Sequence, residues 1–224
     1  MVGLLAAWAA LLSLAPACRH QPSGDRELEQ RLEELTLSAL ADATGACTLS
    51  SEGGAQVLSI RATSHTSTTH CDLASGSRVE PAASGIWDLS FQRFKAGTNS
   101  GTNASPLSTG GGGGACQTGL TDFAAVTSVS AFAGGAAPDC PVFALDTPLA
   151  GAGAGGGSVE FQGSPALKDW YAYNIFTHAL SAKQDVYIIR SADGTQYYKL
   201  QMLDYYDAAG AAGYPKLRFA EITF

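Results

Sequence analysis

Hydrophobic positions change their spacing along the chain. From Val2 to Ala17 they are almost continuous and uncharged (VGLLAAWAALLSLAPA). From Asp25 to Ala43 they recur at helical spacing. Leu28, Leu32, Leu35 and Ala39 share one face and Glu and Arg fill the other, which predicts one short N-terminal helix. After Cys47 the period drops to two. Leu58 and Ile60 alternate within Gln56–Ala62, and Cys71 and Leu73 share a face of the Thr-rich stretch Thr66–Leu73. Trp87, Leu89 and Phe91 alternate against Asp88, Ser90 and Gln92, as expected of a half-buried strand, with Arg93 at its end. Trp170–Phe176 is aromatic and strand-like, and Val186–Arg190 is a β-branched run. Asp193-Gly194 is a hairpin turn signal between that run and Tyr197–Leu203. Lys216–Phe224 closes the chain as a further strand. Strand follows strand through turns, with no helices between them. The expected fold is therefore all-β: an antiparallel sheet domain with one short N-terminal helix and Gly-rich loops.

The apolar leader is too short to span a bilayer, which takes roughly twenty residues, and it suits a signal peptide. It ends in Leu14-Ala15-Pro16-Ala17-Cys18, with small residues before a cysteine, as a lipoprotein signal peptidase requires. The expectation is that residues 1–17 are removed and Cys18 is acylated, giving a lipidated tether over 18–24, the helix over 25–43 and a single β domain over 44–224. Two or three acyl chains would anchor the protein stably to a membrane. The competing reading is an ordinary signal peptide followed by a free Cys18 thiol.

With Cys18 acylated, the other four of the five cysteines are Cys47, Cys71, Cys116 and Cys140. Export favours pairing them. Four cysteines allow three connectivities. The local one, Cys47–Cys71 and Cys116–Cys140, closes two loops of equal length and is the pairing expected. Metal binding is disfavoured, because there is no CxxC pair and no His near Cys116 or Cys140. A net charge of −7 with 15% charged residues offers no basic surface for nucleic acid. The glycine runs at Gly110–Gly114 and Gly151–Gly157 read as loops.

No HExxH, GxSxG or P-loop motif is present, and the protein is not expected to be an enzyme. Of the four histidines, His20 falls in the polar tether. His65 and His70 fall in the Thr/Ser-rich stretch, where His70 alternates with Cys71 and should face solvent. His178 follows the aromatic stretch Trp170-Tyr171-Ala172-Tyr173-Asn174-Ile175-Phe176. A histidine there suits a flat aromatic ligand or a metal, with the tyrosines stacking; it equally suits a hydrogen-bonded strand end.

Three stretches resemble the HmuY-like haem-binding lipoproteins. The first is Trp87–Asn103 (WDLSFQRFKAGTNSGTN). The second is Cys71-Asp72-Leu73-Ala74-Ser75-Gly76 with Val79. The third is the hairpin from Tyr187-Ile188-Ile189-Arg190 through Asp193-Gly194 to Asp204-Tyr205-Tyr206. The resemblance implies an all-β fold and lipid attachment to the outer membrane, facing the periplasm or the surface. It also implies capture of haem or a related porphyrin for a TonB-dependent transporter, with iron held by two axial His or Met side chains. The sequence departs from that pattern: counting from Trp170 reaches Ile175 rather than His178, and Asp122–Gly163 contains neither His nor Met. The candidate ligand-binding residues are thus Tyr171, Tyr173 and His178, with His178 as the iron ligand. Tyr171 or Tyr173 could stack or, if deprotonated, ligate. The alternative is a non-haem binding or structural cell-envelope lipoprotein on the same scaffold.

Overall fold

The computed structural model describes residues 29, 31–33, 45–80, 86–101, 111–132, 140–152 and 158–224. Glu29 and Arg31–Glu33 are helical and exposed, inside the expected N-terminal helix. The rest of that helix, the leader, the tether and Cys18 lie outside the described residues. Among the described residues, no helix is long and apolar enough to cross a membrane.

From residue 45 onward the chain is built of strands: β1 (Ala46–Glu52), β2 (Ala55–Arg61), β3 (Thr69–Asp72), β4 (Ser77–Arg78), β5 (Leu89–Gln92), β6 (Lys95–Thr98), β7 (Gly114–Gln117), β8 (Thr147–Ala152), β9 (Ser158–Gly163), β10 (Tyr171–Asn174), β11 (Ala179–Ala182), β12 (Val186–Arg190), β13 (Tyr197–Tyr206) and β14 (Ala212–Ile222). A six-stranded sheet runs β1-β2-β14-β13-β12-β7 and a four-stranded sheet β4-β3-β5-β6; β8–β9 and β10–β11 are separate hairpins. All of these pairings are antiparallel, so the expected all-β fold is the one observed.

Alternation places the core. In β14, Gly213, Pro215, Leu217 and Phe219 are buried while the residues between them are half-buried. Pro215 has no N–H to donate and lies where the β13–β14 register shifts, between the pairs Asp204↔Lys216 and Tyr206↔Ala212. One apolar cluster joins Leu58, Ile60, Leu200, Leu217 and Phe219 of the large sheet to Cys71, Leu89 and Phe91 of the small one. A second cluster joins Val186, Ile188 and Cys116 to Phe123, Val126, Val129 and Phe132. Strand β12 serves both, with Tyr187 and Ile189 in the first cluster and Val186 and Ile188 in the second. A strand covered on both faces reads as a continuous apolar run, which accounts for Val186–Ile189.

Several expectations from the sequence need correction. The stretch Asp88–Phe91, at and just before β5, is buried on both faces: Asp88 and Ser90 are buried along with Leu89 and Phe91. His70 does not face solvent; it is buried, with its ring 4.5 Å from that of the fully buried Trp87. The Gly110–Gly114 run is not simply loop, because Gly114 opens β7 and Gly113 donates to the Asn99 carbonyl at 2.9 Å. A Cβ on Gly113 would sit 2.7 Å from that carbonyl, so close backbone approach requires glycine there. The predicted strand Trp170–Phe176 ends at Asn174. In contrast, Gly194 adopts φ +78° in the turn between β12 and β13, as the Asp-Gly signal requires.

Both local disulfides are formed, Cys47–Cys71 with Cα atoms 5.9 Å apart and Cys116–Cys140 with 5.1 Å. The first links β1 to β3 and hence the large sheet to the small one. The second ties β7 to the segment preceding β8. Each should stabilise the fold by about 3–4 kcal/mol in the chain-entropy account.

Two buried carboxylates hold turns in place. Asp88 accepts the Leu73 amide at Oδ2 (2.9 Å) and the Ala192 amide at Oδ1 (2.8 Å), joining turns of the two sheets. Asp146 accepts the Thr98 amide (2.9 Å), the Thr98 hydroxyl (2.6 Å) and the Ser100 hydroxyl (3.2 Å). Burial outweighs these donors and pushes Asp88 up to about 6 and Asp146 up to about 7.

A pH dependence follows. Below about pH 4 these two groups are protonated folded or unfolded. Between there and about pH 7 the folded chain binds the extra protons, so their contribution to stability is lost as pH rises and levels off above. Asp146→Asn should flatten the upper part of that slope. Urea midpoints for wild type and variant across the window would check it; parallel curves would rule out the buried carboxylate as the cause.

Candidate functional site

The expected ligand-binding residues fall on the β10–β11 hairpin, and its local sequence explains its shape. Trp170 anchors the base: it is fully buried, its indole Nε1 donates to the Phe94 carbonyl at 2.9 Å, and its carbonyl accepts the Lys183 amide at 3.0 Å. The strands pair from Tyr171↔Ala182 to Asn174↔Ala179, leaving Ile175–His178 as the tip. Asn174 builds that tip: its Oδ1 accepts the amides of Phe176 (2.9 Å) and Thr177 (3.2 Å). His178 closes the turn in the left-handed region, at φ +54°, a conformation uncommon for a residue with a side chain. On the side toward the large sheet, the Leu180 amide donates to the Tyr206 phenol oxygen at 2.8 Å.

The structure separates the two candidate tyrosines. Tyr171 is half-buried, with its ring 5.3 Å from that of Trp170 and 5.5 Å from that of Phe94. Burial, with Asp169 nearby, raises its phenol above the ordinary range, which disfavours the phenolate. Tyr173, two residues up the strand, is 53% exposed. Its phenol oxygen lies 2.5 Å from Nδ1 of His178, which is itself exposed. The hairpin therefore brings Tyr173 and His178 together and leaves Tyr171 to packing. Beside them Ile175 and Phe176 are 69% and 91% exposed. A tip that presents two apolar side chains, a phenol and an imidazole, with no formal charge from Trp170 to Ala182, suits a flat and largely apolar ligand. The expected strand does not continue through Ile175 and Phe176 because Asn174, whose short amide favours turns, ends it.

The other candidates lie elsewhere. His65 is exposed in the connection between β2 and β3, His70 packs on Trp87, and all four cysteines from Cys47 to Cys140 are in disulfides. Among the described residues, no group of three or more His, Cys, Asp and Glu is placed to hold a bare metal ion.

The motif at Trp87–Asn103 is structural where it is described. Asp88 clamps two turns, Arg93 takes the β5–β6 turn at φ +56°, and Thr98, Asn99 and Ser100 are buried around Asp146 and the glycine run.

Two packed antiparallel sheets with an aromatic hairpin define the class of the chain, an all-β scaffold. The chain matches the HmuY protein family model over residues 64–219 and belongs to that family. Solved structures share its fold. The apo HmuY analog of Tannerella forsythia aligns over 79% of this chain and 96% of that one, with TM-score 0.52 and 17% identity. Apo PinO of Porphyromonas gingivitis aligns over 74% and 96%, with TM-score 0.54 and 12% identity. A candidate lipoprotein of Bacteroides fragilis aligns over 80% and 95%, with TM-score 0.51 and 20% identity. No curated protein sequence matches the chain.

The two tyrosines should respond differently to truncation. Tyr171→Ala removes a ring packed on Trp170 and should cost about 2–4 kcal/mol, whereas Tyr173→Ala should stay within about 0.5 kcal/mol. Denaturant unfolding of the two variants checks this, and equal losses would contradict the assignment of packing to one and presentation to the other.

Proposed function

We propose that this protein is a non-enzymatic, exported lipoprotein that captures haem or a related porphyrin and passes it to a TonB-dependent transporter at the outer membrane. The observation that carries the reading is the Tyr173–His178 pair on an exposed apolar tip, in a chain of the HmuY family. The chemistry of these groups fits the ligand. A neutral imidazole is a good iron ligand, and Ile175 and Phe176 offer apolar surface to the macrocycle. The export half of the proposal rests on the apolar leader ending at Cys18 and on the disulfides, which belong to an oxidising compartment. A docking role without haem would draw on the same exposed tip, and the first experiment below separates the two.

Adding hemin to the wild-type protein should produce an absorbance band near 400 nm that His178→Ala weakens or removes. Equal spectra for both proteins would remove His178 as a ligand, and no band for wild type would remove haem and leave the docking role. For the anchor, the intact mass of membrane-extracted protein should show a lipidated N-terminus at Cys18; a soluble chain retaining a free Cys18 thiol would refute it.

A further inference from the structure

We infer that haem iron, on the reading proposed above, is held by a single protein side chain, Nε2 of His178, with Tyr173 as the positioning residue at Nδ1 and the opposite axial position left to water or an added small ligand. The inference comes from an inventory of donors in this chain. Its histidines are His20, His65, His70 and His178, and its methionines are Met1 and Met202. Met1 and His20 belong to the leader and the tether. The internal stretches outside the described residues, 81–85, 102–110, 133–139 and 153–157, contain neither His nor Met. Met202 is 1% exposed within the main core, and His70 is buried against Trp87. The cysteines of the β domain are bonded to one another, so none offers a thiolate. Among the phenols, Tyr187, Tyr198 and Tyr205 are buried in the core, Tyr171 packs on Trp170 and Phe94, Tyr197 packs between Phe143 and Phe224, Tyr206 accepts the Leu180 amide, and Tyr214 is half-buried in β14, so none of them stands on the exposed tip. That leaves His65 and His178 as accessible imidazoles, and only His178 stands beside exposed apolar side chains on one short tip.

Tyr173 is not the missing second ligand. Its phenol oxygen sits 2.5 Å from Nδ1 of His178, on the ring edge away from a metal at Nε2. A group bonded to the imidazole lies on the same side of a porphyrin as that imidazole. The useful tautomer is the one in which Nδ1–H donates to the Tyr173 oxygen, which leaves the Nε2 lone pair for iron. Hydrogen-bond partners of this kind fix the ring and typically change metal affinity by about 10–100-fold.

The test uses the full chain loaded with hemin, read by visible absorption and electron paramagnetic resonance. The ferric protein should be high-spin, and added imidazole or cyanide should convert it to a low-spin form. Tyr173→Phe should keep the high-spin signature while weakening hemin affinity by about tenfold or more. His178→Ala should lose the signature and regain a bound form with added imidazole, and His65→Ala should match wild type throughout. A low-spin wild-type spectrum that turns high-spin in His65→Ala would overturn the single-ligand inference and leave haem capture standing. Tyr173→Phe with unchanged affinity would overturn the positioning role. Circular dichroism of each variant separates loss of ligand from loss of fold. Failure of wild type to bind hemin at all would instead sink the haem reading on which this inference rests.

Discussion

The contact on which most of the architecture converges is a buried carboxylate. Asp88 reaches the turn after β3 with one oxygen and the turn after β12 with the other, so a single side chain sets the small sheet against the large one. Hydrophobic packing between the sheets is stronger in sum but indifferent to small slides. Two charge-assisted bonds to backbone amides are not, because each has a narrow range of length and angle. The surroundings extend the constraint: the Ala192 carbonyl accepts from Gly112, Asn99 accepts from Gly111 and Gly113, and Asp146 collects Thr98 and Ser100. Burying carboxylates is costly, as their raised protonation ranges show. What the fold gains is registration between sheets that apolar contacts alone leave loose.

How much of this was legible in the sequence depended on whether a residue's role was local. Period-two alternation located β2 and β14, Asp193-Gly194 located the β12–β13 hairpin, and loop closure favoured the disulfides that formed. Strands β6, β8 and β9 went unseen, being short or rich in Gly and Ala, although each pairs with its neighbour in sequence. Polar residues misled most. Asp88, Ser90 and His70 read as a solvent face because alternation assumes that polar means exposed, yet each is buried. Of the candidate site, the sequence exposed the aromatic stretch and His178. It could not show that Tyr171 packs at the base while Tyr173 is exposed nearer the tip, since both lie on one strand face and differ only in height above the core.

This division explains why family membership and ligand chemistry separate in this protein. In the first of the stretches that carry the HmuY resemblance, the residues from Asp88 to Ser100 are spent on holding turns and sheets together. The groups proposed to meet a ligand sit on a hairpin anchored by Trp170 and Tyr206, with its tip shaped by Asn174. Substitutions at the tip disturb few core contacts, so the scaffold tolerates change in the site with little loss of fold.

The Cys47–Cys71 bond acquires another meaning if the chain hangs from its N-terminus. Tension on such a tether enters at β1, an edge strand whose backbone bonds to β2 would otherwise open one after another from Ala46 onward, like a zipper. Cys47 is the second residue of that strand, and its sulfur is covalently joined to β3. Load arriving there passes into the small sheet through a covalent link before it reaches the rest of β1, so the strand next to the leash is mechanically shielded by its own second residue.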